Sequence, residues 1–287
     1  MKYAVIDIGS NSVRLLLWAD GRSLLKILNT TRLGEGLSLT SRISDAAAAR
    51  TIDAIAAFYA RAKEEGADCV FAFATEAVRS ARNGKEFVRA VFERCGLEVD
   101  VLSGEREAEA GLLGALDGRD GGIVDVGGAS SEVTVAQGGK VVYARSVGMG
   151  AVRLKDLCGE DAGKLRALIA DNLPRYGEVP RAEMVAIGGT ATSLAALAFG
   201  IAPYDPAKVD GSVLSVQEII GWGDRLLNMS QPQRLALKGM DPRRADILGG
   251  GALLLGGILQ YTGAERVRVS ERDNMEGYLL LKRREGE

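Results

Sequence analysis

AVIDIGSNSVRLLL, residues 4–17, and GGIVDVGGASSEVTV, residues 121–135, are two versions of one pattern. Laying Gly122 over Ala4 aligns Asp7 with Asp125 and Gly9 with Gly127. In the same register Ser12 meets Ser130, Arg14 meets Glu132 and Gly21 meets Gly139. Each copy reads as a buried strand ending in Asp, a turn of small residues, a second strand (Ser12–Ala19, Ser131–Ala136), and a Gly turn into a third. A single copy would pass for an ordinary hairpin. Two in register point to a duplicated device.

The physical reading of that device is a phosphate clamp. Small residues at the turn leave backbone N–H groups open to an anion, and the hydroxyls of Ser10, Ser12, Ser130 and Ser131 add donors. Asp7 and Asp125, each near a strand end, suit a hydrated Mg²⁺, which takes one or two carboxylates and completes its shell with phosphate oxygens and water.

Composition narrows the chemistry further. The chain has 287 residues, 37 of them Gly, and no His. Glycine is close to twice its usual share of about 7%, as expected where backbone approaches something closely. Without His there is no Ser-His-Asp triad, HExxH zinc site or imidazole base, so a general base must be a carboxylate, lysine or thiolate. A net charge of -2 argues against a general nucleic-acid binder. Three scattered cysteines without metal spacing read as reduced thiols of a cytoplasmic protein. The N-terminus lacks a signal-peptide pattern, and no apolar run is long and unbroken enough to cross a membrane.

Outward from the first copy the chain alternates in βα fashion. A helix over 45–65 precedes a strand over 69–74, then a helix over 85–94 and a short strand over 99–102. The second copy repeats the plan: three strands to Val147, helices near 151–157 and 164–172, and a strand over 184–187 entering Gly188-Gly189-Thr190. The remainder reads as helical apart from one strand at 266–270. The expected fold is therefore α/β, two similar domains with a cleft between them. The division is placed at 1–118 and 119–287, the last helix packing back on the first domain.

SGEREAEAG, residues 103–111, opens a helix with Ser103 as N-cap. Glu105 and Glu109 are accounted for by the helix macrodipole. Glu107 shares its face with Ala110, Gly111 and Gly114, a small-residue stripe that lets backbone or ligand come close. Hydrolysis of a phosphoanhydride needs a water-positioning base, metal, and positive charge on the phosphoryl oxygens. Glu107 fits the first role, Asp125 and Glu132 the second, and Arg14 or Arg79 the third. Arg82 and Lys85 follow Arg79 closely enough to suggest a local anion-binding cluster.

These segments, with ATEAVRSARNG, AIGGTATSLAAL, YDPAKVDG, RRADILGGGALLL and VSERDNMEG, resemble the ordered motifs of the exopolyphosphatase / guanosine pentaphosphate phosphohydrolase (Ppx/GppA) family. The resemblance implies two RNase H-like domains of the actin/sugar-kinase/Hsp70-like ATPase fold. It implies Mg²⁺-dependent release of terminal phosphate, with Mn²⁺ as an alternative ion, from inorganic polyphosphate or guanosine penta/tetraphosphate, and a place in the stringent response. It puts Glu107 at the catalytic base and Asp125 and Glu132 among the metal- and phosphate-handling acids. Ser10, Asn11 and Ser12 fall on a first phosphate loop, Gly127, Gly128, Ala129 and Ser130 on a second, and Gly189-Thr190 on a third cradle. Arg14 and Arg79 match phosphate-binding arginines, and Arg243 or Arg244 a contact to longer substrate.

Three departures stand out. Ala129 replaces a glycine of the second loop, Asp210 replaces a histidine, and the chain matches the short form without C-terminal helical and His-Asp regions. Short rather than long polyphosphate, or pppGpp, is accordingly the expected substrate. Two other readings stay open: a polyphosphate or (p)ppGpp sensor without turnover, and an ATPase or kinase of the same superfamily. A homodimer is left open as well.

Overall fold

In a computed structural model, residues 1–286 are described. The first sheet comprises β1 (Lys2–Ile8), β2 (Ser12–Ala19), β3 (Arg22–Thr30), β4 (Cys69–Ala74) and β5 (Asp100–Val101), in the order β3-β2-β1-β4-β5. β1, β2 and β3 form an antiparallel meander, and β4 and β5 run parallel to β1. The second sheet comprises β6 (Gly121–Val126), β7 (Ser131–Gln137), β8 (Lys140–Val147), β9 (Met184–Ile187), β10 (Val213–Ser215) and β11 (Arg266–Val269), in the order β10-β11-β9-β6-β7-β8. Without β10 its order is that of the first sheet. Two mixed sheets of this topology make an actin-like ATPase fold, as expected.

The repeat explains the order. β1 and β6 are the central strands, buried through Ala4–Ile6 and through Ile123 and Val124, and each carries a hairpin partner on one side and a parallel strand on the other. The parallel strands require helical crossovers. Between β3 and β4 that crossover is the helix Asp45–Glu64, capped by Ser44 Oγ, which accepts the Ala47 N–H at 3.2 Å. It buries Ile55 and Ala54 against the first core.

One strand differs from the expected pattern. β10 is added at the edge of the second sheet, antiparallel to β11. Three residues are too few to display a period of two, and the capping box of Ser215 and Glu218 follows at once. The small-residue stripe beside Glu107 is filled by protein. A Cβ on Gly114 would lie 2.0 Å from the Asp273 carbonyl, and one on Gly277 would lie 1.6 Å from the Ala110 carbonyl. The closing helix, Asn274–Gly286, thus lies backbone to backbone against the helix Gly104–Leu116. It also reaches β1's sheet, where the Tyr278 ring packs tilted against Phe73 with centroids 4.7 Å apart, and Met275 and Leu279 join Val5 and Leu16.

No described helix is long and apolar enough to cross a membrane. The apolar helix Leu248–Tyr261 is instead core, its leucines buried against Ile219 and Leu226.

Glycine contacts make a stability contrast. Gly277→Ala is expected to cost about 3 kcal/mol, because rigid backbone faces the new methyl. Gly250→Ala meets only side-chain atoms of Leu165 and Leu154, at 3.5 Å and beyond. It should be neutral or stabilising by about 0.5–1 kcal/mol, since alanine is the better helix former. Urea midpoints at unchanged m-value would check both; equal effects would refute the packing account.

Candidate active site

The two copies of the pattern build matching turns. Gly9 N–H donates to the Ser12 carbonyl at 3.0 Å, and Gly127 N–H donates to the Ser130 carbonyl at the same distance. A Cβ at either glycine would come within 3.2 Å of that carbonyl. The turns also touch each other: a Cβ on Gly128 would lie 2.6 Å from Ser10 Cβ. The carbonyls of Ser10 and Asn11 accept bonds from Gly34, Thr31 and Arg32. Among the described residues, the N–H groups of Ser10, Asn11, Gly128, Ala129 and Ser130 have no protein acceptor. Such exposed N–H groups form an anion nest.

A third set of donors closes the ring. The helix Gly188–Ala198 begins directly at the end of β9 with no side-chain cap, its first residue at φ 79°. Its leading N–H groups are unpaired by helix geometry and favour an anion. Thr190 contributes backbone here, because its hydroxyl donates to the Val126 carbonyl at 2.7 Å.

Both loops and this helix start line one cavity of about 80 Å³, together with Asp7, Ser12, Arg14, Glu107 and Asp125. Sequence reasoning had not assigned Thr75 or Asn274, which share its wall. Arg79 and Glu132 stand behind that wall. Glu132 is buried and accepts from Ser146 Oγ at 2.6 Å. Ser131 faces away, its hydroxyl 2.7 Å from that of Tyr176. Arg79 does not cluster with Arg82 and Lys85, which are exposed; its guanidinium donates to Glu76 and, at 3.1 Å, to Glu107 Oε2. The acid Glu76 one turn before Arg79 captures it, and sequence reasoning missed that partner.

The equivalent strand positions carry opposite electrostatics. Asp7 pairs in register with Arg14, whose Nε donates to it at 2.8 Å and whose Nη1 pairs with Asp273. Asp125 pairs in register with Glu132, acid facing acid. Burial, and then the Glu132 charge, push the Asp125 carboxyl well above its ordinary range. Glu107 is raised likewise by burial first, then by Glu132, against the lowering influence of Arg79. Burial also raises Glu132, offset in part by bonds from Ser146 and Ser130.

A magnesium ion fits this donor set only in a substrate-assisted way. Among the described residues no group of three or more His, Cys, Asp or Glu is disposed around one point. Asp125 does face the cavity, and among the described residues no cation lies within 4.0 Å of it. Beside it Asn274, which donates to Asp125 at 3.2 Å, has a buried Oδ1 with no partner. Asp7 is already committed to Arg14.

A second cavity of about 360 Å³ continues from the first past Arg14, Gly188, Gly189 and Arg244. Arg244 lies over Gly189, where a Cβ would sit 2.0 Å from Nη2. It has no carboxylate partner within 4.0 Å among the described residues. Burial first, and also the Arg14 charge, lower its pKa to about 10, so it remains a cation at neutral pH. Asp210 is outside both cavities; its Oδ1 accepts the Glu271 N–H at 3.0 Å.

A duplicated actin-like fold with three sets of open N–H groups around a pocket holding a buried glutamate defines a phosphate-handling protein of the phosphatase type. The sequence model of the Ppx/GppA phosphatase family matches residues 20–284, and this chain belongs to that family. It is 30% identical to Exopolyphosphatase 2 of Mycobacterium tuberculosis over an alignment of 312 positions covering 97% of this chain and 98% of that protein. The crystal structure of the Aquifex aeolicus Ppx/GppA family member superposes with a TM-score of 0.80 at 30% identity, covering 100% of this chain and 98% of that one. An exopolyphosphatase from Cytophaga hutchinsonii shares the fold with a TM-score of 0.86 at 23% identity, covering 98% and 97%.

The raised carboxyls carry a consequence for stability. A carboxyl whose folded pKa exceeds its unfolded value penalises the fold once pH rises above the unfolded value, and not below it. Glu107→Gln should therefore melt about 2–4 °C above wild type at pH 8 in chelator-treated buffer. The gain should vanish toward pH 4. A lower melting temperature at pH 8 would show that pairing with Arg79 outweighs burial.

Proposed function

We propose that this protein is an exopolyphosphatase-type phosphohydrolase that releases terminal phosphate from short inorganic polyphosphate or pppGpp. The observation that carries the reading is the meeting of the two matched loops and the uncapped helix start on one cavity wall with Glu107. Residues 1–118 and 119–287 would act as the two lobes of the clamp. The terminal phosphoryl group would sit in the nest of Ser10–Ser12 and Gly127–Ser130, with Gly189-Thr190 completing it. Backbone donors fixed in advance stabilise phosphoryl charge without reorganisation.

Glu107 would orient and deprotonate the attacking water. Arg79 would aim its carboxylate and partly offset the rise in its pKa, working on the base rather than on the phosphate. Asp125, with Asn274 beside it and Glu132 behind, would hold Mg²⁺ jointly with phosphate oxygens. When bound, the ion would neutralise charge on the phosphoryl group. Arg244, the cation without a carboxylate partner, would take the next phosphate along the chain. Arg14 would reach substrate only by yielding one of its two carboxylates.

That last point favours a second reading, binding without turnover, as does the Ala129 methyl on the loop where the family carries glycine. Phosphate release from short polyphosphate, pppGpp and ATP, each with Mg²⁺, separates the readings. Polyphosphate or pppGpp should be hydrolysed and ATP should not. For Glu107→Gln we expect turnover lower by about 10²–10⁴-fold, the usual range for a general base, with ligand affinity retained. Binding of polyphosphate or pppGpp by a wild type that releases no phosphate would leave the sensor reading standing and the hydrolase reading refuted.

A further inference from the structure

Glu76 lies outside the cavity, yet its carboxylate meets both halves of the molecule. It opens the one-turn helix Glu76–Ser80 immediately after β4. Its Oε2 accepts from Arg79 Nη2 at 2.6 Å and Nε at 3.1 Å. The remaining Arg79 nitrogen, Nη1, donates to the Leu102 carbonyl and to Glu107 Oε2. Arg79 thus presents its last donor to the candidate base because Glu76 holds the other two.

The other oxygen of Glu76 faces the second half. Oε1 lies 3.6 Å from Arg153 Nη2, on the helix Ala151–Cys158. Arg153 Nη1 donates to the Gly148 carbonyl at 2.8 Å, and a Cβ on Gly148 would intrude to 2.6 Å from that nitrogen. The helix itself grows out of the second loop. The N–H of Ala151 donates to the Gly127 carbonyl at 2.9 Å, and those of Val152 and Arg153 donate to the Gly128 carbonyl.

The result is a chain of alternating charge, Glu107–Arg79–Glu76–Arg153, ending on the phosphate loop of the opposite half. An exposed pair three residues apart on a helix contributes little. Here Glu76, Arg79 and Arg153 are mostly buried, with side-chain exposures of 17%, 24% and 19%. Their partners come from three separate elements. Such a network fixes side-chain direction more than it adds stability.

We propose that Glu76 is a positioning residue that sets Glu107 through Arg79 and, through Arg153, ties that setting to the docking of the second phosphate loop. The inference rests on the hydrolase reading of the same site. Glu76 touches no substrate. Its effect is to keep the base aligned while the loop on the far side of the cleft is in place.

The test is steady-state phosphate release from short polyphosphate and pppGpp by wild type, Glu76→Gln, Arg153→Met and the double variant, with melting curves to confirm folding. Glu76→Gln should lower kcat about 10- to 100-fold, the scale of a small misplacement, while KM moves less than about threefold. Arg153→Met should act in the same direction. The double variant should fall within about twofold of Glu76→Gln, because residues in one network do not add. Additive losses, a change carried by KM alone, or a folded Glu76→Gln with wild-type kcat would overturn this inference and leave the hydrolase reading intact. A wild type that releases no phosphate would instead refute the hydrolase reading itself.

Discussion

What stands opposite the aspartate in each copy of the hairpin sets the character of the whole cleft. On β1 and β2 the pair is Asp7 with Arg14, which neutralises itself and recruits Asp273 from the chain's end. On β6 and β7 the pair is Asp125 with Glu132, which cannot neutralise itself. One backbone plan therefore yields a structural ion pair on one side and an excess of buried negative charge on the other. Buried like charges raise one another's pKa and cost stability. The cores around both sheets must offset that cost, which is characteristic of sites shaped by chemistry and not by packing.

The first pair also explains how the end of the chain becomes part of the site. Arg14 binds Asp273, and Lys26 on β3 meets Glu276 at 2.9 Å. These contacts anchor the start of the closing helix, and Gly114 and Gly277 let it lie against the Glu107 helix. Asn274 is thereby placed beside Asp125. A side chain from the last fifteen residues thus shares a wall with the loops of both copies.

Much of this could be read in the sequence because the decisive signals are local or repeated. The Asp-x-Gly strands, their hairpins and the βα alternation are short-range patterns, and the register of the repeat predicted the pairing of equivalent turns. Glu107 was visible through its small-residue face, although that face admits the closing helix. Less legible were contacts that depend on side-chain direction across distant elements. Arg79 carries the same charge whether it faces a phosphate or two glutamates, and only Glu76 and Glu107 in space decide. Ser131 looks like another loop hydroxyl until Tyr176 is seen against it. Asp273 and Asn274 belong to a motif whose family resemblance assigned them no part in the site, because nothing near them in sequence shows where that helix returns.

The electrostatics of the proposed site then follow from its asymmetry. The open N–H groups and Arg244 attract phosphate, while Glu107 and Asp125 line the same cavity and Glu132 stands close behind its wall. A polyanion entering alone would meet those acids across low-dielectric surroundings. A divalent cation entering alone would find, among the described residues, no three carboxylates disposed around one point, too few ligands for a tight site. Each improves the other's position, so the two should bind with positive coupling, and the coupling must be mutual. Under the proposed reaction, this would keep the acids in check without a preformed metal cage. It also gives the cross-cleft chain through Glu76 and Arg153 a physical rationale: the base is set on one half, the phosphate loop lies on the other, and a ligand held by both halves would be the condition for bringing them into register.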